Sequence, residues 1–313
     1  MKKIVVLGSS NTDLITKVKK FPVAGETIIG KEYMETMGGK GANQAMAAHR
    51  LGGEVQFITC LGDDANGKNA LAYYKEEGLN VSSSLIVKGT ASGTAIIMVD
   101  QHGENSIIIT PGANNKLSLT HLSSIENIIK EADILVLQME VPYETVKEAC
   151  AQAKNNQTQT ILNVAPAMHI DRELLNNVDI LVVNETEAET ITGGKIKNRG
   201  EEEIANMLLA MGVNTVVLTL GKKGCFYKNR NESLSFGSFE VDAIDTTAAG
   251  DTFCGALAAE IARGNSWENT LIFASAASAN CITKMGAQPS IPKEDEVRAF
   301  LNRNTLSIQN LKN

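Results

Sequence analysis

The sequence predicts an α/β fold of three layers, in which helices cover both faces of a mostly parallel central sheet and a small β-sheet lid is added. Short runs rich in Val and Ile recur along the chain, and most lack the alternation of a half-exposed strand. Such runs are typical of strands buried on both faces. Helical patterns separate them, as in a parallel sheet with helical crossovers. The predicted strands span residues 4–7, 55–60, 134–138, 160–163, 180–183 and 215–219.

Glycine marks the end of several predicted helices, because it readily adopts the left-handed conformation that ends a helix. Gly78 follows a helical pattern over 67–77, and Gly264 follows one over 251–263. The other predicted helices span residues 43–51, 119–129, 143–154 and 201–211, and residues 292–313 are predicted as a last helix with a frayed end.

Two regions predict strands without helical cover. Residues 94–99 and 106–110 are apolar runs joined by a polar, turn-rich hexapeptide, which predicts an antiparallel hairpin. Residues 12–37 predict further short strands. We interpret the segments around 12–37 and 91–112 as a small β appendage on one domain spanning 1–313. One face of this β appendage must remain exposed to solvent, close over a ligand or pack on another subunit.

The composition excludes several classes of protein. The 313 residues include 29 Lys and Arg and 36 Asp and Glu, which is a formal net charge of −7. With 43% hydrophobic and 21% charged residues, the chain resembles globular proteins and not disordered ones. An acidic chain lacks the general attraction to nucleic acid or an anionic membrane, so neither is expected as a partner.

The cysteines and histidines predict neither a disulfide framework nor a zinc site. The five cysteines form no CxxC pair, and the four histidines form no HxxxH or HExxH motif. We therefore expect reduced, buried thiols in a cytoplasmic protein. The apolar run at 4–7 is too short for a signal peptide, and no run approaches the roughly 18–20 residues of a membrane span.

Polar or glycine-rich segments follow several predicted strands. Segment 8–13 carries Asn11 and Asp13 beyond the first strand, where ligands of open α/β sheets bind; an Asx turn is the alternative. Segment 38–44 has three glycines in four residues before a helix, which lets backbone N–H groups approach a ligand. A structural turn with Asn43 as a cap is the alternative there.

Three further segments suggest phosphate chemistry. Segment 245–253 begins a helix with the bare amides of Ala248, Ala249 and Gly250, which suit an anion. Asp251 either caps this helix, the favoured interpretation for an isolated motif, or takes a proton from a hydroxyl during phosphoryl transfer. Segment 184–187 suits a hydrated Mg²⁺; the alternative is an ordinary first helical turn with exposed glutamates. Segment 219–224 suits a polyphosphate, or is a hairpin turn with solvated lysines.

Together these segments can face one edge of the sheet, where they would supply the components of a small-molecule kinase. On these motifs the chain resembles the ribokinase-like family of carbohydrate kinases over about residues 4–300. The specific matches are at 38–45, 184–187, 245–253 and 286–290. The chain departs from the broader family at Ala248, where glycine is usual.

The resemblance implies the ribokinase-like fold and an ATP-dependent kinase that phosphorylates the 5-hydroxyl of ribose to give ribose 5-phosphate and ADP. Asp251 would be the general base, and the amides of Ala248, Ala249 and Gly250 would hold the transferring phosphoryl group. The implied sugar pocket comprises Asn11, Asp13, Gly39, Lys40, Asn43, Glu140 and Asp251. The implied ATP contacts are Asn184, Thr219, Gly221, Lys222, Gly224, Gly250 and Ser275.

The resemblance also implies metal ions and a partner subunit. Glu187 would bind Mg²⁺ through water, and the β appendage would be a lid that also pairs two chains into a homodimer. The implied K⁺ site, mostly of backbone carbonyls, comprises Asp245, Thr247, Cys281, Lys284, Gly286 and Ser290.

Three alternatives stay open from the sequence. The same fold could act on deoxyribose, fructose or a ribonucleoside, although a nucleoside needs stacking partners and aromatic residues are only 4% of the chain. A non-catalytic sugar sensor is the second alternative, and it would have no need of Asp251 with its run of bare amides. An NAD-linked oxidoreductase is the third, but no GxGxxG motif follows residues 4–7.

Overall fold

The computed structural model describes residues 2–196 and 198–304, and the frayed end predicted within 305–313 lies outside the described residues. The strands of this part of the chain are β1 (Lys3–Leu7), β2 (Asn11–Lys17), β3 (Glu32–Gly38), β4 (Glu54–Ile58), β5 (Cys60–Gly62), β6 (Leu85–Val87), β7 (Gly93–Val99), β8 (Asn105–Thr110), β9 (Ile134–Gln138), β10 (Gln159–Asn163), β11 (Ile180–Asn184), β12 (Thr215–Thr219), β13 (Cys225–Asn229) and β14 (Ser233–Phe236).

The helices of the described residues lie mostly between these strands. They are α1 (Lys40–Arg50), α2 (Ala65–Glu76), α3 (Leu119–Ser124), α4 (Glu126–Glu131), α5 (Tyr143–Asn155), α6 (Arg172–Leu175), α7 (Glu185–Ile191), α8 (Glu201–Leu209), α9 (Ala249–Arg263), α10 (Trp267–Cys281) and α11 (Glu294–Arg303). Within the described residues, no helix is both long and apolar enough to cross a lipid bilayer.

The main sheet has eight strands in the order β14-β13-β12-β11-β10-β9-β1-β4 over the described ranges. The six strands from β12 to β4 are parallel to one another, and β13 and β14 extend the sheet in antiparallel fashion. The predicted α/β class with a mostly parallel sheet between helices is confirmed.

Both faces of the parallel strands are buried, which explains their unbroken apolar runs. In β1, Ile4 and Val6 join a core with α1, α2, α9 and α10. Val5 and Leu7 point the opposite way and join a core with the helices from α3 to α8. Because successive side chains alternate between the faces, each strand contributes to both cores.

The predicted hairpin is confirmed as β7 and β8, which pair in antiparallel fashion. It belongs to a second sheet, hereafter the lid sheet, with the strand order β3-β2-β7-β8. β2 pairs with β3 in antiparallel fashion and with β7 in parallel fashion. Only residues 8–10 separate β1 from β2, so the lid sheet begins at the carboxyl edge of the main sheet.

Several predicted boundaries are wrong. The predicted helix 119–129 is two short helices, α3 and α4, because the backbone leaves the helical conformation at Ile125. The predicted strand 55–60 ends at Ile58, and Cys60 begins β5, which pairs with β6 in a separate small sheet. The strands β13 and β14 and the helix α10 were not predicted; α10 begins at the capping residue Ser266, whose side chain accepts from the Asn269 amide.

Candidate active site

A cleft with a volume of about 240 Å³ lies at the carboxyl edge of the main sheet, where β10, β11 and β12 end. Its walls combine the ends of these strands with the first turns of α1, α7 and α9. The lining residues are Lys40, Asn163, Ala165, Val182, Asn184, Glu187, Thr219, Thr246, Ala248, Ala249, Gly250, Asp251 and Cys254. The cleft therefore brings together members of four of the five segments that the sequence singled out.

The buried carboxylate of Asp251 is held by two side-chain amides from α1. Asn43 Nδ2 donates to Asp251 Oδ2 at 2.9 Å, and Gln44 Nε2 donates to Asp251 Oδ1 at 3.0 Å. Gln44 is oriented in turn, because its Nε2 also donates to Asn163 Oδ1 and its Oε1 accepts from Gln138 Nε2. Asp251 does not cap α9, so the capping interpretation is wrong; nor does Asn43 cap α1.

Glycine packing brings α1 to this position. A Cβ on Gly255 would lie 2.7 Å from the Gln44 carbonyl oxygen, so only glycine lets α9 cross α1 this closely. Gly255 lies one helical turn after Asp251, and the crossing places the Asp251 carboxylate beside the α1 amides. At the other end, a Cβ on Gly41 would lie 2.5 Å from the carbonyl carbon of Gly8, so α1 also begins tight against the end of β1.

The first turn of α9 presents unpaired backbone donors to the cleft. Ala248 is the N-cap in the left-handed conformation, with φ 60°, a strained value for a residue with a side chain. The Ala249 N–H donates to the Thr246 carbonyl at 3.3 Å. The N–H groups of Gly250 and Asp251 have no partner among the described residues. Such a helix start favours a negatively charged group.

Lys40 is the cationic side chain of the cleft. Its ammonium group forms no ion pair or hydrogen bond with the described residues. The nearby carboxylates, first Asp251 and then Glu140 and Glu187, raise the pKa of Lys40 against the opposing effect of burial. The side chain therefore stays protonated at neutral pH and is available to an anion in the cleft.

Asn11 and Asp13 are both buried in β2 and not in an Asx turn, so that alternative is wrong. Burial, with smaller contributions from Glu140 and Asp251, raises the pKa of Asp13 to about 7. Within the described residues the Asp13 carboxylate accepts no hydrogen bond. Glu140 Oε2 accepts from Ser9 Oγ at 2.6 Å and from the Lys40 N–H at 3.0 Å, which leaves Oε1 free for a further donor.

Asn184 and Glu187 form a reciprocal capping box at the start of α7. Glu187 Oε2 accepts from the Asn184 N–H, Glu187 Oε1 accepts from Asn184 Nδ2, and the Glu187 N–H donates to Asn184 Oδ1. Burial raises the pKa of Glu187, whose side chain also lines the cleft. The segment is thus both a helix start, as the alternative interpretation expected, and a wall of the cleft.

The segment 219–224 forms the tight connection between the antiparallel strands β12 and β13, as the hairpin alternative expected. Gly224 has φ 96°, and a Cβ there would overlap the backbone at Phe236 and Gly237. Thr219 lines the cleft, whereas Lys222 is exposed. Ser275 lies on α10, and its hydroxyl is 3.7 Å from the Cys225 sulfur, beside this connection.

The residues of the implied K⁺ site lie together. Asp245 Oδ1 accepts from the N–H and hydroxyl of Thr247, and Asp245 Oδ2 accepts from the Gly286 N–H. Cys281 Sγ contacts Ser290 Oγ at 3.0 Å and donates to the Thr247 carbonyl at 3.7 Å. The Lys284 ammonium is directed to Glu296, at 2.6 Å.

The carbonyl oxygens of this region suit a monovalent cation. Gly286 and Ser290 are buried, yet their carbonyl oxygens accept no hydrogen bond from the described residues. Buried carbonyl groups are nearly always paired, so a cation would meet an unfilled requirement there. Within the described residues no cluster of three or more His, Cys, Asp or Glu side chains could hold a metal ion.

The sequence missed several polar residues that organise the site. Gln44 lies in the glycine-rich motif, but its contact with Asp251 was not predicted. Asn163 and Gln138 each end a parallel strand, and that position was the signal that could have identified them. Ser9 donates to Glu140, and Asn114 donates to Asn11.

A family model described as the pfkB family carbohydrate kinase matches residues 1–294, nearly the whole described chain. The chain belongs to this family. The predicted resemblance to carbohydrate kinases is therefore confirmed, and the oxidoreductase alternative is excluded.

Named relatives agree with the family assignment. A ribokinase of Haemophilus influenzae is 40% identical over 301 residues, which cover 96% of this chain and 98% of that protein. The solved ribokinase structure of Thermotoga maritima is 38% identical with a TM-score of 0.89, covering 96% of this chain and 100% of that one. The structure of Arabidopsis thaliana ribokinase complexed with ribose and ATP is 32% identical with a TM-score of 0.87, covering 96% and 98%.

Proposed function

We propose that the protein is an ATP-dependent ribokinase that transfers the γ-phosphoryl group of ATP to the 5-hydroxyl of ribose. The observation that carries the proposal is the Asp251 carboxylate, held by two amides beside the unpaired N–H groups of a helix start. The relatives described above are ribokinases over nearly the whole chain, which favours ribose over fructose or a nucleoside.

In the proposed reaction Asp251 accepts the proton of the 5-hydroxyl as the sugar oxygen bonds to the γ-phosphorus. The bond between that phosphorus and the bridging oxygen breaks, and ADP leaves with the electron pair. The amides from Asn43 and Gln44 hold both carboxylate oxygens in place while leaving lone pairs for the substrate proton. Alignment of base and hydroxyl supplies much of the rate enhancement.

Charge on the transferring group is stabilised by this chain's own donors. The free N–H groups of Gly250 and Asp251 point from the start of α9, where the helix dipole adds a partial positive charge. We include the Ala248 N–H in this anion site, because it too has no partner among the described residues. The Ala249 N–H donates to the Thr246 carbonyl, so Ala249 is included as a residue that shapes the turn. Lys40, which lines the cleft, adds a full positive charge, in addition to its implied role in the sugar pocket.

The sugar pocket is proposed beneath the lid sheet. Asp13 and Glu140 offer carboxylate oxygens that accept no hydrogen bond from the described residues, and Asn43 Oδ1 is buried without a partner. Sugar hydroxyls would supply the missing donors. Gly39, with φ 88°, brings the backbone close to Asn11, and a Cβ there would lie 2.8 Å from the Asn11 nitrogen.

The nucleotide is proposed to lie along the ends of β11 and β12, against Asn184, Thr219, Gly221, Lys222, Gly224, Gly250 and Ser275. Thr219 and Asn184 line the same cleft as the α9 amides. Glu187 fits the water-mediated Mg²⁺ role, because its buried carboxylate faces the cleft and keeps free lone pairs. Bound Mg²⁺ would neutralise developing phosphate charge.

The Asp245 region is proposed as a K⁺ site formed by Asp245, Thr247, Cys281, Lys284, Gly286 and Ser290. It adjoins the anion site, because Thr247 immediately precedes Ala248 and the Asp245 carboxylate connects Thr247 with Gly286. Turnover is expected to be about tenfold higher in K⁺ than in Na⁺ at equal ionic strength, within the usual range of coupling between sites. Steady-state assays in the two chloride salts would check this, and equal rates would contradict the proposal.

Replacing Asp13 with Asn is expected to stabilise the ligand-free protein at high pH while weakening sugar binding. The folded pKa of about 7 lies above the unfolded value of 3.8, so burial of Asp13 destabilises the fold increasingly as pH rises toward 7. We expect Asp13→Asn to raise Tm by about 2–4 °C at about pH 8 and by less at about pH 5. Thermal unfolding measures this.

The ribose affinity of the wild type should decrease as pH drops below about 7, because Asp13 then takes up a proton. This trend is opposite to that of stability, which increases as pH drops. Titration calorimetry with ribose at several pH values would test it, and Asp13→Asn should bind weakly with little pH dependence. A wild type whose affinity is constant between about pH 5 and pH 8 would contradict the assignment.

We also propose that the chain forms a single catalytic domain and that its lid sheet pairs two chains into a homodimer. Ile107 and Ile108 of β8 are 50% and 55% exposed and project from opposite faces of the lid sheet. The wild type is expected to be a dimer. Because the two side chains lie on opposite faces, only one of Ile107→Lys and Ile108→Lys, the one on the pairing face, is expected to yield a monomer. Sedimentation equilibrium distinguishes the two states, and a monomeric wild type would contradict the proposal.

A cytoplasmic location is proposed from the five free, buried cysteines.

Product identification tests the proposed function directly. The protein is incubated with ATP, Mg²⁺, K⁺ and one of ribose, deoxyribose, fructose or a ribonucleoside, and the phosphorylated product is identified by mass and NMR. Ribose 5-phosphate as the preferred product supports the proposal. Preference for another sugar would correct the substrate, and no ATP turnover with any of them would favour the non-catalytic sensor.

A further inference from the structure

Asn114 is a buried side chain outside the cleft that contacts the proposed sugar-binding strand. It lies in the 3₁₀ turn Gly112–Lys116, directly after the last strand of the lid sheet, and is 1% exposed. Its amide bonds to Ser10 and Asn11, which lie more than one hundred residues earlier in the chain. None of the sequence motifs that carry the family resemblance includes Asn114.

The hydrogen bonds of Asn114 identify its two amide atoms. The Ser10 N–H donates to Asn114 Oδ1 at 3.0 Å, and a backbone N–H can only donate. Asn114 Nδ2 therefore points the other way, where it donates to the Ser10 carbonyl at 3.2 Å and to Asn11 Oδ1 at 2.8 Å. Because an amide NH₂ must meet an acceptor, Asn11 must present its oxygen to Asn114.

The lid sheet encloses this contact. A Cβ on Gly93, the first residue of β7, would overlap both Asn11 Oδ1 and Asn114 Nδ2. Rotation of the Asn11 amide within this space would direct its NH₂ group at the NH₂ group of Asn114. The orientation of Asn11 is therefore held by a neighbour and not by the ligand.

The consequence is a defined pattern on the sugar side. Asn11 Nδ2 has no partner among the described residues, and Asp13, two residues along the same face of β2, has a carboxylate with none. A donor beside an acceptor matches a sugar hydroxyl, which accepts through its oxygen and donates through its hydrogen.

We propose that Asn114 is a positioning residue for sugar recognition: it orients the Asn11 amide so that its NH₂ group faces the sugar beside Asp13. This inference rests on the proposed function, because it takes Asn11 to be a sugar ligand. Asn114 touches neither substrate, so its effect is confined to sugar affinity and leaves ATP binding and the chemical step unchanged.

Asn114→Asp tests the orientation with little change of shape. The new carboxylate still accepts from the Ser10 N–H, but it repels Asn11 Oδ1, so the Asn11 amide rotates and presents oxygen to the sugar. The KM and Kd for ribose are expected to rise about 10- to 100-fold, the size of a lost hydrogen bond with an unpaired buried group. The kcat at saturating ribose and the KM for ATP should change less than about threefold.

The neighbouring Asn115 provides a matched control. Asn115 is exposed and its side chain makes no hydrogen bond with the described residues, so Asn115→Asp adds the same charge one residue away and should leave the ribose KM unchanged. A general electrostatic effect would raise the ribose KM in both variants, which would overturn the proposal.

A double-mutant cycle separates positioning from a structural role. In an Asn11→Ala background, Asn114→Asp should weaken ribose binding by less than about twofold more, because the group through which it acts is gone. Additive losses would overturn the proposal. If Asn114→Asp does not fold, Asn11→Asp presents the same acceptor to the sugar while Asn114 is intact. A wild-type ribose Kd for Asn11→Asp would overturn the proposal as well.

The wild-type measurements distinguish failure of this inference from failure of the proposed function. A wild type that neither binds nor phosphorylates ribose overturns both. If the wild type phosphorylates ribose and Asn114→Asp has the same ribose KM as the wild type, only the role of Asn114 is overturned.

Discussion

Asp251→Asn is expected to lower kcat by about 10²- to 10⁴-fold, the usual contribution of a positioned general base. The amide cannot take up the proton of the 5-hydroxyl, so the sugar oxygen must attack the phosphorus as a poorer nucleophile. Ribose affinity should fall by no more than about tenfold, since at most one hydrogen bond to the sugar changes. The loss would therefore be concentrated in kcat.

The fold should accept this substitution because Asn43 can adapt. Asp251 accepts from both Asn43 and Gln44, and an amide at 251 can accept from only one of them. Gln44 is held by Gln138 and Asn163, but Asn43 Oδ1 is buried without a partner, so the Asn43 amide can rotate and accept from the new NH₂ group. We expect a Tm close to that of the wild type.

Stopped assays of ribose 5-phosphate formation, with ribose Kd from calorimetry, would check the prediction. Asp242→Asn is the matched control, because Asp242 is exposed and lies before the same helix without contacting the cleft. Turnover of Asp251→Asn within about tenfold of the wild type would show that Asp251 is not the base.

Gly250→Ala is expected to change stability and activity in opposite directions. Gly250 lies in the first turn of α9, and a Cβ there would meet no protein atom within 4 Å. Alanine in a helix is more stable than glycine by about 0.5–1 kcal/mol, so Tm should rise by about 1–3 °C. The added methyl group would nevertheless project from the cleft wall beside the free N–H groups and occupy space proposed for the phosphoryl oxygens.

Turnover of Gly250→Ala should fall by at least about 10²-fold, the effect of displacing reacting groups by about 1 Å. Gly200→Ala provides the control for turnover, because Gly200 is the residue before the first turn of α8, has an unhindered Cβ position and lies outside the cleft. Kinetics and thermal unfolding of both variants would test the prediction. An active Gly250→Ala enzyme would contradict the anion site, and a destabilised one would contradict the packing argument.

The elements predicted well are those whose signals are local. Unbroken apolar runs identified the six parallel strands, because burial on both faces removes polar alternation. Glycines identified the ends of α2 and α9, since few other residues adopt the required backbone. The short edge strands β13 and β14 were missed, because Cys225–Asn229 mixes polar and apolar residues without a long run.

The candidate site divides in the same way. Motifs of adjacent residues indicated the helix start at Gly250 and the glycine-rich turn at Gly39. The hydrogen bond from Gln44 to Asp251 joins residues 207 positions apart, and no local pattern contains it. It exists because Gly255 lets α9 cross α1 at close range, which depends on the packing of both helices on the sheet.

The sequence by itself determined the α/β class, the carbohydrate-kinase motifs and the identity of the proposed base. Only the tertiary structure decided that Asp251 is held by α1 and does not cap its helix, that burial raises the pKa of Asp13 to about 7, and that Asn114 donates to the Asn11 side chain. The physical reason is range. Backbone conformation and burial patterns are set by neighbours in the chain, whereas hydrogen-bond partners and desolvation of a polar group depend on which distant segments pack around it.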